Sequence, residues 1–256
     1  MPQEDSASSR DSPDEFLNST ALLDLEDSRL RLRARSLTQL CESESDKAVA
    51  IHNYVKRMPF ERRLKLRLRT AREVMDAGAG DASDKATLLI ALLRRVGIPA
   101  RIRYIELRNE TMRGLSSSTE NAFRPLAEVW LDGDWVRTDS YIFDVAYMAA
   151  ARQRLKDLDW ERGYGIHRNG HSVWNGAQDA FVGGAATEDD PMVVQTLGVY
   201  DDPMQFMRSD FLRHRYPPFA HSWQINMRAI GMRYVLRELR AEGTASAQSK
   251  KKRRRP

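Results

Sequence analysis

Residues Gly78-Ala79-Gly80-Asp81-Ala82-Ser83-Asp84-Lys85-Ala86-Thr87-Leu88-Leu89-Ile90-Ala91-Leu92-Leu93-Arg94-Arg95-Val96-Gly97-Ile98-Pro99-Ala100-Arg101 read as a turn, a helix and the entry to a strand in one unbroken run. Gly78 and Gly80 mark a tight turn. From Asp84 to Val96 the pattern is helical, with Ala86, Leu89, Ile90 and Leu93 facing inward. Gly97 is placed to end that helix, and Pro99 prevents its continuation. Ser83 sits where serine favours an N-cap or first-turn role. Arg101 to Leu107 follows as a strand.

Working outward, Asp46 to Met58 reads as a helix with Asp46 as N-cap, Ala48, Ile51, His52 and Val55 on one face, and Pro59 as its stop. Arg63 to Arg69 alternates apolar and basic residues. This suits an edge strand whose charges face water, with a basic groove edge as the other reading. Thr70 can cap a short helix through Met75. Arg108 to Asn121 is a polar loop. Leu126–Leu131 and Trp135–Thr138 form a hairpin around Asp132-Gly133. Val145 to Leu158 suits an amphipathic helix, residues 160–200 suit long loops, and Ser222 to Leu239 suits a terminal helix. No internal repeat is present.

The chain has 256 residues, 41% hydrophobic and 30% charged. No apolar run approaches the roughly 18 residues that span a bilayer, and the acidic start, Met1 to Asp5, does not resemble a secretory signal. Cys41 is the sole cysteine, so no intramolecular disulfide forms. A cytoplasmic location is the expectation. The net charge of +5 is uneven: residues 250–255 carry +6, and residues 1–28 hold eight acids against one base. The segment between them is mildly basic, which is not the composition of a dedicated nucleic-acid binder. Nucleic acid is expected, if anywhere, only at the tail Lys250–Arg255. The expected organisation is a disordered acidic segment 1–28, a domain 29–240 with its core at about 45–145 and a loop-rich extension 146–240, and a mobile basic tail 241–256.

The turn, the helix and the Gly97-Ile98-Pro99-Ala100-Arg101 exit resemble the core of the transglutaminase-like superfamily. So does the later stretch Ala127-Glu128-Val129-Trp130-Leu131-Asp132-Gly133-Asp134-Trp135-Val136-Arg137-Thr138-Asp139. The resemblance implies an α+β, papain-like fold in which the helix packs on an antiparallel sheet, with a loop-rich C-terminal extension and a terminal helix. In active members a cysteine occupies the position of Ala82. A histidine stands four residues before the glutamate matching Glu128, which is Arg124 here. The aspartate position is filled by Asp139. Tyr164-Gly165-Ile166-His167 and Trp174-Asn175-Gly176 resemble a segment that follows the core in some bacterial relatives and lies over the cleft.

The substitutions remove the implied chemistry. A methyl group cannot attack a carbonyl, and a guanidinium that stays protonated cannot serve as a base. Asp139 keeps no imidazole to orient, but an Arg124–Asp139 ion pair can replace that contact as structure. Ser83 as a substitute nucleophile needs a base within reach. His167 and His171 have a chelating i, i+4 spacing, but Gly163, Gly165 and Gly170 argue against a helix there and no third ligand is evident. No metal and no cofactor are expected. Cys41 is expected to be buried and unreactive.

The leading expectation is a pseudoenzyme that binds a peptide, protein or small-molecule ligand in the vestigial cleft, without cysteine-dependent transglutaminase or protease activity. Binding candidates are Asp81, Ser83, Asp84, Arg124, Trp130, Asp139 and His167. The alternatives are an enzyme of rebuilt, non-cysteine chemistry (amide hydrolysis or acyl transfer) in the same cleft, and a scaffold that recruits partners through its two ends.

Overall fold

Capping chemistry places the first four helices. In the computed structural model, which describes residues 12–62, 67–184, 190–215 and 232–243, α1 (Ser28–Thr38) begins where the Asp27 carboxylate accepts from the amides of Arg29 and Leu30. α2 (Glu44–Arg57), α3 (Ala71–Ala77) and α4 (Ala82–Arg95) each begin with a reciprocal capping box, made by Ser43 with Asp46, Thr70 with Glu73, and Asp81 with Asp84. Thr70 is the expected N-cap, whereas the caps of α2 and α4 differ from the expected ones. Ser43 replaces Asp46, which is its partner in the box, and Asp81 stands one step before the helix that contains Ser83. Gly78 ends α3 at a left-handed φ of 61°. At Gly80 an added Cβ would lie 2.6 Å from Asp84 Cβ, so only glycine lets the turn approach α4.

The main sheet is antiparallel, and its first strands are β1 (Ala100–Leu107), β2 (Ala122–Leu131) and β3 (Asp134–Thr138). The β2–β3 turn takes positive φ at both Asp132 (52°) and Gly133 (88°), as a two-residue hairpin requires. After α5 (Val145–Asp157) comes a short hairpin of β4 (Arg162–Gly163) and β5 (Ile166–His167). β6 (Val193–Tyr200) then returns to pair with β1, giving the order β3-β2-β1-β6. The short helices α6 (Pro203–Met207) and α7 (Asp210–Arg215) follow, and α8 covers residues 232–243. The expected α+β architecture, a helix packed on an antiparallel sheet, is the one observed.

α4 lies between α1–α3 and the face of β1 and β2. Every residue from Asp84 to Arg94 is buried, so the helix is enclosed all round and not on one face alone. Complete burial of Leu88, Leu89, Ile90, Leu92 and Leu93 contributes roughly 1.5–3 kcal/mol per side chain. Lys85 is also fully buried. Its ammonium donates to the carbonyls of Met58 (2.9 Å), Ile142 (2.8 Å) and Lys56 (3.3 Å), tying the end of α2 to the segment after β3.

Three expectations are corrected. Residues 12–28 are not disordered: Phe16, Leu22, Leu23 and Leu25 are buried, and the Ala71 amide donates to Leu22 O at 2.8 Å. The acidic average of this segment hides four apolar anchors. Residues 160–200 are not loops throughout, because Val193–Tyr200 is a full strand. Its register shifts twice against β1, which breaks the alternation that would have marked it. Cys41 is half-buried, not buried. Of the expected Arg63–Arg69 strand, residues 63–66 lie outside the described residues. So do residues 222–231 of the terminal helix, 244–256 of the tail and 1–11 of the N-terminal segment.

Candidate functional site

The N-terminal turn of α4 presents Asp81, Ala82 and Ser83 half-buried, with Asp84 fully buried behind them. The carboxylates serve the turn. Asp81 Oδ1 accepts from the Asp84 amide (3.1 Å), and Asp84 Oδ2 accepts from the Asp81 amide (3.2 Å) and from Arg69 Nη2 (2.6 Å). The same Arg69 nitrogen donates to Ala79 O at 3.0 Å, which fixes the turn from outside. The first residue of α4 is Ala82, whose methyl group offers no nucleophile. The Ser83 hydroxyl meets that of Tyr104, a fully buried phenol that burial pushes far above its ordinary pKa. Tyr104 stays protonated and cannot act as a base for Ser83. Its ring stacks on Phe206 at 3.8 Å.

Arg124 and Asp139 come together. Arg124 Nη1 donates to Asp139 Oδ2 at 2.6 Å, with both side chains buried. Arg124 lies near the start of β2, opposite Ile105 of β1, and Asp139 directly follows β3. The second carboxylate oxygen, Oδ1, accepts from the Val182 amide at 2.6 Å, and Arg124 Nη2 donates to Gly165 O at 2.5 Å. Each group thus has a partner beyond the pair itself, which a buried ion pair needs to offset its desolvation.

The polypeptide that supplies those partners closes this end of the site. Thr138 and Ala180 form a parallel bridge, the His167 amide donates to Val182 O (2.7 Å), and the His171 amide donates to Phe181 O (2.7 Å). A Cβ at Gly183 would run into Arg124 Nη1 and come within 3.5 Å of Asp139 Oδ2. The Tyr164–His167 segment therefore lies against Arg124 and Asp139. It covers them with backbone and not with the His167 ring. That ring bonds Glu161 Oε1 through Nε2 (2.8 Å) and accepts the Asn169 amide at Nδ1 (3.0 Å). The His171 side chain is exposed.

Trp130 has no part in this constellation. It lies six residues along β2 from Arg124, about 20 Å away at the rise of a strand, and packs edge-on against Trp135 at 5.4 Å. Glu128, the residue that fixed the histidine register, binds Arg101 at 2.6 Å and Arg103.

Sequence reading left one neighbour of the site without a role. His52 and Ser140 are both completely buried, and His52 Nε2 lies 2.9 Å from Ser140 Oγ. Ser140 in turn meets Thr138 Oγ1 at 2.8 Å. Burial, aided by the charges of Lys56 and Lys85, lowers the His52 pKa to about 3, so the imidazole is neutral. Trp174 packs on it at 5.1 Å. Enclosed in this way, the serine–histidine pair is part of the core that holds the Asp139 segment. The signal available in sequence was the position of His52 on the apolar face of α2. The contributions of Gly165 and Val182 come from backbone atoms; Gly165 falls in the Tyr164–His167 stretch that the resemblance marked, and Val182 falls in no motif.

Among the described residues no helix is long and apolar enough to cross a membrane. No curated protein matches the chain. Among solved structures, a candidate cysteine protease from Cytophaga hutchinsonii is 22% identical with a TM-score of 0.40, the match covering 48% of this chain and 39% of that one. A candidate protease from Parabacteroides distasonis is 17% identical with a TM-score of 0.34, covering 49% of this chain and 24% of that one. The chain thus spans well under half the length of either. The family model of the transglutaminase-like superfamily matches residues 31–140, a span that runs from α1 through Asp139. Over these residues the chain is similar to the transglutaminase-like superfamily.

Proposed function

We propose that this protein is a transglutaminase-like protein that has left thiol chemistry and acts by binding a peptide, protein or small ligand at the opening of α4. The observation that carries this reading is the sealed Arg124–Asp139 pair. Acyl transfer of the family's kind needs a nucleophile, a base that takes its proton and a group that orients the base. Here the first position holds the Ala82 methyl group. The other two satisfy each other and the backbone of Gly165 and Val182. A rebuilt hydrolase in the same place is disfavoured for the same reason: both oxygens of Asp139 are engaged, and the ring nitrogens of His167 are taken by Glu161 and Asn169. Asp81, Ala82 and Ser83 remain accessible for recognition. A cytoplasmic setting fits a chain with a single cysteine.

The test is a paired measurement on the full-length protein. Chromogenic amide and ester substrates should show no turnover above buffer. Native mass spectrometry of protein purified from its own cells should show a retained ligand that Ser83→Phe, which adds bulk at the start of α4, no longer retains. Turnover that survives thiol-blocking reagents and disappears in Ser83→Ala would replace this reading with the enzymatic one.

A further inference from the structure

We propose that the cavity between residues 59–62 and α8 is a binding site for a small anion bearing phosphate groups, held by Arg62, Arg233 and Arg237. This site is separate from the opening of α4 and does not depend on the reading given for it. The cavity has a volume of about 320 Å³ and is lined by Glu61, Arg62, Arg233, Leu236, Arg237 and Arg240. That is near the lower end of the size range for small-molecule sites, which begins at about 300 Å³.

Charge is what sets this cavity apart. Four guanidinium groups face a single carboxylate, a local charge of +3. Among the described residues, the nearby acids Glu61 and Asp144 lie 3.8 Å and 3.3 Å from Arg240. Arg62, Arg233 and Arg237 form no ion pair among the described residues, and Arg62 Nε is buried without a hydrogen-bond partner. Arg233, Arg237 and Arg240 recur at i, i+4 and i+7, so they share one stripe of α8, and like charges at that spacing destabilise a helix. A polyanion in the cavity would remove this repulsion. Planar guanidinium groups suit phosphate oxygens, which they bind in a bidentate manner.

The shape narrows the class of ligand. A concave site floored by the buried Leu236 suits a compact ligand of two or more charges, whereas nucleic acid backbones and membrane surfaces engage extended basic stripes or faces. The location also has a consequence for the fold. The Glu61 amide donates to Gly80 O (3.0 Å), and the Gly80 amide donates to Pro59 O (3.1 Å), so the wall of the cavity is bonded to the turn that opens α4.

Inorganic pyrophosphate is the probe. Calorimetric titration of the full-length protein, at low and moderate salt, should show saturable binding, tighter than for inorganic phosphate and weakened by salt. Arg233→Gln/Arg237→Gln should weaken it at least tenfold and leave the ligand-free melting temperature unchanged or higher, because repulsion is relieved. Unchanged affinity in that variant would place the binding elsewhere, for instance on the tail Lys250–Arg255, and would overturn the proposal. So would the absence of saturable binding, or binding only to single-stranded nucleic acid or to vesicles containing anionic lipid. If the Gln variant melts early, Arg233→Lys/Arg237→Lys decides. This variant keeps the charge but loses the bidentate geometry, so weakened pyrophosphate binding supports the site and wild-type affinity rejects it.

Discussion

Arg124 Nη1 lies 2.6 Å from Asp139 Oδ2, so a buried ion pair joins β2 to the residue that follows β3. The contact is an internal strut. Arg124→Met would leave the Asp139 carboxylate buried without its counter-ion and the Gly165 carbonyl without its donor. The expected loss is about 3–5 kcal/mol, read from urea unfolding. Arg124→Met/Asp139→Leu should lose markedly less than the sum of the single variants. Strict additivity would mean that the two groups do not act as a pair.

Adding a thiol at position 82 should not create chemistry. Ala82→Cys places a sulfur at the start of α4, but Arg124 supplies no base and Asp139 is occupied. Amide and ester turnover should stay at background. Turnover abolished by iodoacetamide would show that a base had been overlooked.

His52 should contribute to acid sensitivity. Its folded-state pKa, about 3, lies below the ordinary 6.5, so between those values the unfolded chain binds the proton and the folded one does not. Stability from this group is therefore full above pH 6.5 and is lost as pH falls toward 3, by up to about 1.4 kcal/mol per pH unit. His52→Gln should flatten that part of the stability profile relative to wild type. A profile of unchanged slope would refute the assignment.

Lys85 acts in a different window. Burial lowers its pKa from 10.5 to about 7, with Asp144 opposing the shift. Between pH 7 and 10.5 the unfolded chain holds the proton and the folded one releases it, so stability gained from this group rises with pH across that interval. Chemical unfolding at pH 7, 8 and 9 should show wild type gaining on Lys85→Met. A difference independent of pH would mean that the ammonium keeps its charge through its three carbonyl contacts.

Gly183 is a packing constraint on the strut. Arg124 is held on both sides and cannot swing away from an added methyl group, so Gly183→Ala should cost about 1–3 kcal/mol. Thermal melting of the variant checks this, and a wild-type melting temperature would show that the 180–184 segment yields freely.

The core of the fold was legible because its signals are local. Gly78, Gly80, Gly97 and Pro99 punctuate α4, and Asp132-Gly133 dictates its hairpin whatever surrounds it. The Arg124–Asp139 contact was legible from motif spacing plus charge. β6 was not, because its pairing with β1 is irregular and its partner lies about ninety residues away in sequence. The Val182 part of the cover over the strut was not legible either, because it is a backbone amide with no side-chain signal. Trp130 was misplaced because a conspicuous aromatic near a motif is not thereby near the site. The Arg62 cavity depends on α8 coming to rest beside residue 62, a relation between distant segments that composition does not encode.

The ordered strap from residue 12 to 27 changes how the chain can be shortened. Phe16 lies edge-on to Trp135 at 5.6 Å, and Asn18 O accepts from the buried Arg94 at 2.6 Å. Trimming to residue 28 would uncover an indole at the hairpin and strip a guanidinium inside α4 of a partner. A recruitment assay on such a shortened protein would report aggregation in place of lost partners. A test of the scaffolding role should therefore keep residues 12–27 in place.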